Sequence, residues 1–157
     1  MREESWLSRT KGMSGHDLRA LLSRPLIARL GTIARDGGPY VIPCWFHFDG
    51  ARITTRLRQK SEAMQHILRD PRIALSIADD TPPYPRVQIV GRAKVLYGPG
   101  PIVEPWLSIA KENIRAYLGE AALAYLGETV DRPRYVIEYV PERVLSWKGT
   151  DGARRYL

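Results

Sequence analysis

Two tight turns set close together constrain the fold of this chain more than any other feature. Leu26 to Ala34 reads as a strand, Asp36-Gly37-Gly38-Pro39 as a turn and Tyr40 to Phe48 as a second strand. Asp49-Gly50 is a second turn, and Arg52 to Arg58 a third strand. The paired glycines permit positive φ, and Pro39 has no place in a central ladder. Connections this short join only antiparallel neighbours, because a parallel pair needs a crossover of a dozen or more residues. Ser61 then offers an N-cap to a helix whose apolar stripe is Met64, Ile67 and Leu68. Asp70-Pro71 stops that helix before a fourth strand, Arg72 to Ala78.

The flanking segments extend the same plan. Residues 1–13 are polar and read as a flexible arm. Ser14 caps a helix carrying Leu18, Leu21 and Leu22, with Asp17 as capping-box partner and Pro25 as its end. Thr81-Pro82-Pro83-Tyr84-Pro85 is too proline-rich for helix or sheet. Arg86 to Tyr97 is a fifth strand, broken by Gly98-Pro99-Gly100-Pro101. Pro105 opens a helix bearing Trp106, Ile109, Ile114 and Tyr117, and a shorter one runs from Glu120 to Leu126. Arg134 to Val140 and Val144 to Trp147 are the last strands, before a basic tail, 148–157. Six or seven hairpin-linked strands with short helices predict a mainly β fold, a closed or partly closed antiparallel barrel. The 157 residues, 44% hydrophobic, suffice for one core, and no linker or repeat divides them: residues 1–157 form one domain.

Charge narrows the partners. The formal net charge of +7 suits anions, yet no block of five like charges and no zinc-finger or RNP signature singles out nucleic acid. No apolar run approaches the ~20 residues that cross a bilayer. The N-terminus lacks the basic-then-apolar pattern of a secretion signal, and the single cysteine, Cys44, excludes an internal disulfide. A cytoplasmic protein is expected.

One cluster stands apart from the dispersed charge. Along the third strand Arg52, Thr54, Arg56 and Arg58 share one face, and Ile53, Thr55 and Leu57 the other. Arg58 and Lys60 lead into the Ser61 helix, whose first amides lack internal partners and carry the positive end of the helix dipole. Arginine forks, threonine hydroxyls and free amides suit a phosphate; the same cations would equally protect a solvated strand edge. On the second strand, Trp45, Phe46 and Phe48 suit either a planar ligand or a barrel core. Cys44 has no base placed beside it, and His16, His47 and His66 show no zinc spacing, so no metal site is expected. Walker A, G-x-G-x-x-G and G-x-S-x-G motifs are absent.

Several segments, taken in order, resemble the pyridoxamine-phosphate-oxidase-like superfamily of FMN-binding split β-barrel proteins. They are Ala28-Arg29-Leu30-Gly31-Thr32-Ile33, Gly38-Pro39-Tyr40-Val41-Ile42-Pro43-Cys44-Trp45-Phe46 and Asp70-Pro71-Arg72-Ile73-Ala74-Leu75-Ser76. Val87-Gln88-Ile89-Val90-Gly91-Arg92-Ala93 and Pro141-Glu142-Arg143-Val144-Leu145-Ser146-Trp147 complete a match over most of residues 25–148.

The resemblance implies a six-stranded split barrel, a homodimer, and two cofactor sites at the dimer interface. The cofactor it implies is FMN, with the deazaflavin F420 in one branch and haem in a smaller one. By the same resemblance, Ile42, Pro43, Cys44 and Trp45 run beside the flavin ring, and Thr54, Thr55, Arg56, Arg58, Lys60 and Ser61 hold the phosphate. Trp147, followed by Arg154 or Arg155, approaches the ring from the partner subunit. Glu62 and Ala63 stand where relatives carry a cation. Ile42 and His47 replace an arginine and a lysine of true pyridoxamine phosphate oxidases, so pyridoxal phosphate synthesis is not expected. The expected activity is flavin-dependent hydride transfer to or from a small molecule, with catalytic residues and substrate unassigned. The alternatives are an F420-dependent reductase and a non-catalytic FMN or haem carrier, with His47 as the haem ligand. A nucleic-acid-binding barrel ranks last, because its aromatics and cations are not interleaved.

Overall fold

The computed structural model describes residues 5–149. Its elements are α1 (Gly15–Leu22), β1 (Ala28–Ile33), β2 (Pro39–Cys44), β3 (His47–Phe48), β4 (Ile53–Arg58), α2 (Glu62–Arg69), β5 (Arg72–Ala78), β6 (Arg86–Gly100), α3 (Trp106–Leu118), α4 (Leu123–Thr129) and β7 (Arg134–Trp147). The strands pair antiparallel throughout, in the order β2-β1-β5-β6-β7-β4-β3. The outermost strands of that order, β2 and β3, are consecutive in sequence, with only Trp45 and Phe46 between them. So short a link reaches about 10 Å at full extension. The sheet therefore curls until its edges meet, and the barrel closes through the chain instead of through a ladder. Thr55 Oγ1 stitches the seam by donating to the Trp45 carbonyl at 2.7 Å.

The split barrel agrees with the sequence reading, with seven strands in place of six. The extra one is β3, the two-residue remnant of a second strand expected to run unbroken from Tyr40 to Phe48. It breaks because Trp45 turns outward to pack on α3 and α4, while Phe46 enters the barrel. The last two expected strands are one, β7. Pro141 is absorbed at a bulge opposite Gly91, where the backbones approach so closely that an added Cβ would sit 2.0 Å from the Val140 carbonyl oxygen. Strand β6 likewise outruns its expected end at Tyr97, reaching Gly100 through register shifts.

The segment expected to be a flexible arm is packed over its described residues, 5–13. Leu7 is fully buried, Met13 is buried, and the Trp6 indole donates to the Ala51 carbonyl at 2.7 Å. Ser146 Oγ bonds both the Lys11 carbonyl and the Met13 amide. Three apolar residues among polar ones, Trp6, Leu7 and Met13, anchor it.

Both predicted caps hold, with Ser14 accepting from the Asp17 amide and Ser61 from the Met64 amide. The buried stripe of α2 is Ala63, Met64, His66 and Ile67, with Leu68 exposed. His66 replaces Leu68 inside because its Nδ1 meets Thr32 Oγ1 at 2.9 Å, satisfying both buried polar groups. The barrel interior is aliphatic, centred on Leu30, Ile53, Ile77, Ile89 and Ile137 with the fully buried Tyr139. A second cluster, Ile102, Ala110, Ile114 and Leu126, joins α3 and α4 outside the barrel. Among the described residues, no helix is long and apolar enough to cross a membrane.

Candidate functional site

Period-two alternation turns Ile53 and Leu57 of β4 into the core, and Arg56 and Arg58 onto the outer face. Helices α3 and α4 roof that face without filling it. The space left is a cavity of about 610 Å³. Pro43, Cys44 and Trp45 at the end of β2 form one wall, and Arg56, Arg58 and Arg134 line it from β4 and β7. Ile102, Ala110, Ile114 and Leu126 supply an apolar wall, with Tyr125 and Thr129 of α4 completing it.

The aromatic wall is held from behind. Trp45 stacks on Tyr117 with centroids 4.7 Å apart and planes 7° from parallel. Tyr117 Oη donates to the Leu26 carbonyl at 2.6 Å and accepts from the Phe46 amide at 3.3 Å. A single phenol thus ties α3 to both β1's approach and the barrel seam.

The cavity's electrostatics are one-sided. Among the described residues, no carboxylate lines it. Among the described residues, Arg56 and Arg58 make no salt bridge. Burial, then the nearby Arg134 charge, pushes the Arg56 guanidinium down to about 10, so it remains a cation at neutral pH. Burial, then Arg58, lowers Arg134 in the same sense. Arg58 and Arg134 face each other directly across the β4–β7 ladder.

Cys44 offers no nucleophile here. Burial pushes its thiol up, and its Sγ lies 3.9 Å from Tyr139 Oη. Burial likewise raises the Tyr139 phenol well above its ordinary value. The cavity can therefore take an anion and a flat apolar body, and among the described residues neither a carboxylate nor a histidine lines it.

Of the residues predicted from sequence, Pro43, Cys44, Trp45, Arg56 and Arg58 come together on this cavity. Thr55 lies beneath it at the seam, Ile42 packs against the barrel core, and Thr54 is buried opposite His47. Lys60 is exposed and Ser61 is engaged in capping α2; neither lines the cavity. Trp147 lies at the far end of β7 from Arg134, under the Arg86 guanidinium at 4.3 Å. Arg154 and Arg155 fall outside the described residues. His47 pairs with Glu112 at 3.2 Å and lines a separate cavity of about 200 Å³. Sequence reasoning missed Arg134, Thr129 and Tyr125. The signal for Arg134 lies in strand register, which only the β4–β7 pairing reveals.

Comparison with known proteins gives a consistent placement. The family model described as pyridoxamine 5'-phosphate oxidase matches residues 15–148. Among solved structures, the conserved hypothetical protein Rv2991 from Mycobacterium tuberculosis is 23% identical, with a TM-score of 0.71 over 86% of this chain and 84% of that one. An F420 reductase is 25% identical, with a TM-score of 0.61 over 80% of this chain and 94% of its own. A haem-binding protein from Mycobacterium smegmatis is 20% identical, with a TM-score of 0.61 over 85% of this chain and 53% of its own. No curated protein matches. Since the matched segment runs from the first residue of α1 to the residue after β7, the chain belongs to the pyridoxamine 5'-phosphate oxidase family.

Proposed function

We propose that this protein is a flavin-dependent oxidoreductase that binds FMN in the cavity beneath α3 and α4. One observation carries the reading: among the described residues Arg56 and Arg58 are cations without a carboxylate partner, and they open into a cavity walled mainly by apolar and aromatic groups. That combination fits a planar ring joined to a phosphate. A bound flavin would supply the hydride chemistry, which agrees with the walls holding no carboxylate or histidine among the described residues. The protein's residues then act by placement. Trp45, backed by Tyr117, offers an aromatic face; the aliphatic wall excludes water; the arginines fix the phosphate end.

F420 is a second reading, supported by the likeness to an F420 reductase at 25% identity. A haem reading is less well served, because no histidine lines the cavity and His47 is held elsewhere by Glu112. The proposal extends to a homodimer, with the partner subunit completing the site.

The test is reconstitution of the purified protein with FMN, F420 and haem, read by visible absorbance and fluorescence. FMN or F420 should be retained stoichiometrically. The double variant Arg56→Ala/Arg58→Ala should weaken that retention at least about a hundredfold, since two charge-assisted contacts are lost. Undiminished retention by the double variant removes the phosphate assignment. Reduction of the bound flavin by a nicotinamide or another small donor separates an enzyme from a carrier.

A further inference from the structure

We propose that Arg134 is a third anion-binding residue of this cavity, and that the three guanidiniums together select a ligand whose end carries two or more negative charges. The proposal rests on the flavin reading only for the choice of cofactor probe.

Arg134 opens β7 directly opposite Arg58, and like charges facing each other across a ladder destabilise a sheet. Three guanidiniums, with no carboxylate of the described residues on the same walls, compound that repulsion. An anion placed between them would reverse its sign. A monoanion would leave the cluster undercompensated, whereas a phosphomonoester at neutral pH brings close to two charges.

A simpler role for Arg134 is to cap α4, and its hydrogen bonds show how far that goes. Its Nη1 donates to the Thr129 carbonyl at 2.8 Å and to the Arg132 carbonyl at 3.2 Å. Both bonds use one nitrogen of a group that holds five N–H donors. Among the described residues, the others have no acceptor. The side chain is therefore anchored on one side and open on the other, while lining the cavity. That is a preorganised fork for an oxyanion. The helix roof thus serves the binding site, since the carboxyl end of α4 aims the third cation. Meanwhile Glu62, at the start of α2, lies 3.7 Å from His66 Nε2, and Ser61 is occupied as its cap. The anion subsite accordingly lies on the β4–β7 ladder and not at the α2 N-terminus.

FMN and riboflavin share a ring and differ by the phosphate, so titrating both isolates the anion contact. Wild-type protein should prefer FMN at least about a hundredfold. Arg134→Gln should weaken FMN about tenfold or more and leave riboflavin unchanged, and Arg134→Lys should recover part of the loss. Equal weakening of both ligands, or an unaltered FMN affinity, overturns the inference and leaves Arg134 as a helix cap. Should the wild type bind no flavin at all, the flavin reading fails separately. Inorganic pyrophosphate then reads the subsite alone. Thermal stabilisation of the wild type that Arg134→Gln loses supports the inference, and no stabilisation of the wild type ends it.

Discussion

Arg56 sets the needs of folding against those of binding. Its guanidinium is desolvated enough to be pushed down to about 10, it faces the Arg134 charge, and it has no carboxylate partner among the described residues. A partly buried cation so placed costs stability, and an unbranched apolar side chain of similar length would remove that cost. Arg56→Met should therefore stabilise the ligand-free protein by about 1 kcal/mol, raising Tm by about 2–4 °C for a domain of this size. On the proposed FMN reading, the same variant should also lose the stabilisation expected when FMN is added to the wild type. Differential scanning calorimetry with and without FMN reads both effects. A lowered Tm in the ligand-free variant would show that Arg56 has a structural partner and is not reserved for a ligand. The pair Arg56 and Arg58 was legible in the sequence, because a period of two puts alternate residues on one face. Arg134 was not, because its place depends on which strand lies beside β4 and in what register.

At the scale of elements, the helical roof depends on few contacts with the barrel. Tyr117 supplies four of them: a stack on Trp45, hydrogen bonds to the Leu26 carbonyl and, at 3.4 Å, to the Phe46 carbonyl, and one from the Phe46 amide. Asn113 adds a long bond to the Phe46 carbonyl at 3.4 Å. Removing the phenol oxygen leaves part-buried backbone groups short of a partner, a loss of about 1–3 kcal/mol. Tyr117→Phe should lower Tm by several degrees. It should also speed amide exchange in α3 and α4 more than in β5 and β6, the centre of the sheet. Uniform acceleration across the barrel would mean that the roof is not a separate unit. Helices α1 and α2 were legible, since Ser14 and Ser61 cap where a side-chain oxygen was expected to. The break between β2 and β3 was not. Tyr40 to Phe48 reads as one apolar run, and only barrel closure explains why two residues step out of it. Nor was the packing of residues 5–13 legible, because Trp6, Leu7 and Met13 are scattered in a polar stretch and their burial depends on distant contacts such as that of Trp6 with Ala51.

At the scale of the whole molecule, the side of the barrel formed by β2, β1, β5, β6 and β7 carries an apolar surface that the described residues do not cover. Val41 is 63% exposed, Val90 41% and Leu145 44%, and all three border one shallow groove with Gly31 and Ala74. Small and aliphatic side chains grouped on an open sheet face mark an association surface more often than a solvated one. Arg29 and Arg143 sit on the same groove, giving it a polar rim. A second copy of this chain is the occupant that the family resemblance implies, and a two-fold contact would bring identical flat faces together. The protein should therefore sediment as a dimer at micromolar concentration. Val41→Asp is the informative change, because it lies on the edge strand β2, where a new charge would be tolerated by the isolated barrel. Paired with Val90→Glu, it should give a folded monomer with an unchanged far-ultraviolet spectrum. If the partner completes the cofactor site, that monomer should bind FMN at least about tenfold more weakly, although neither residue lines the cavity beneath α3 and α4. A monomer that keeps full affinity would confine the site to one subunit; a dimer that persists would place the interface on another face.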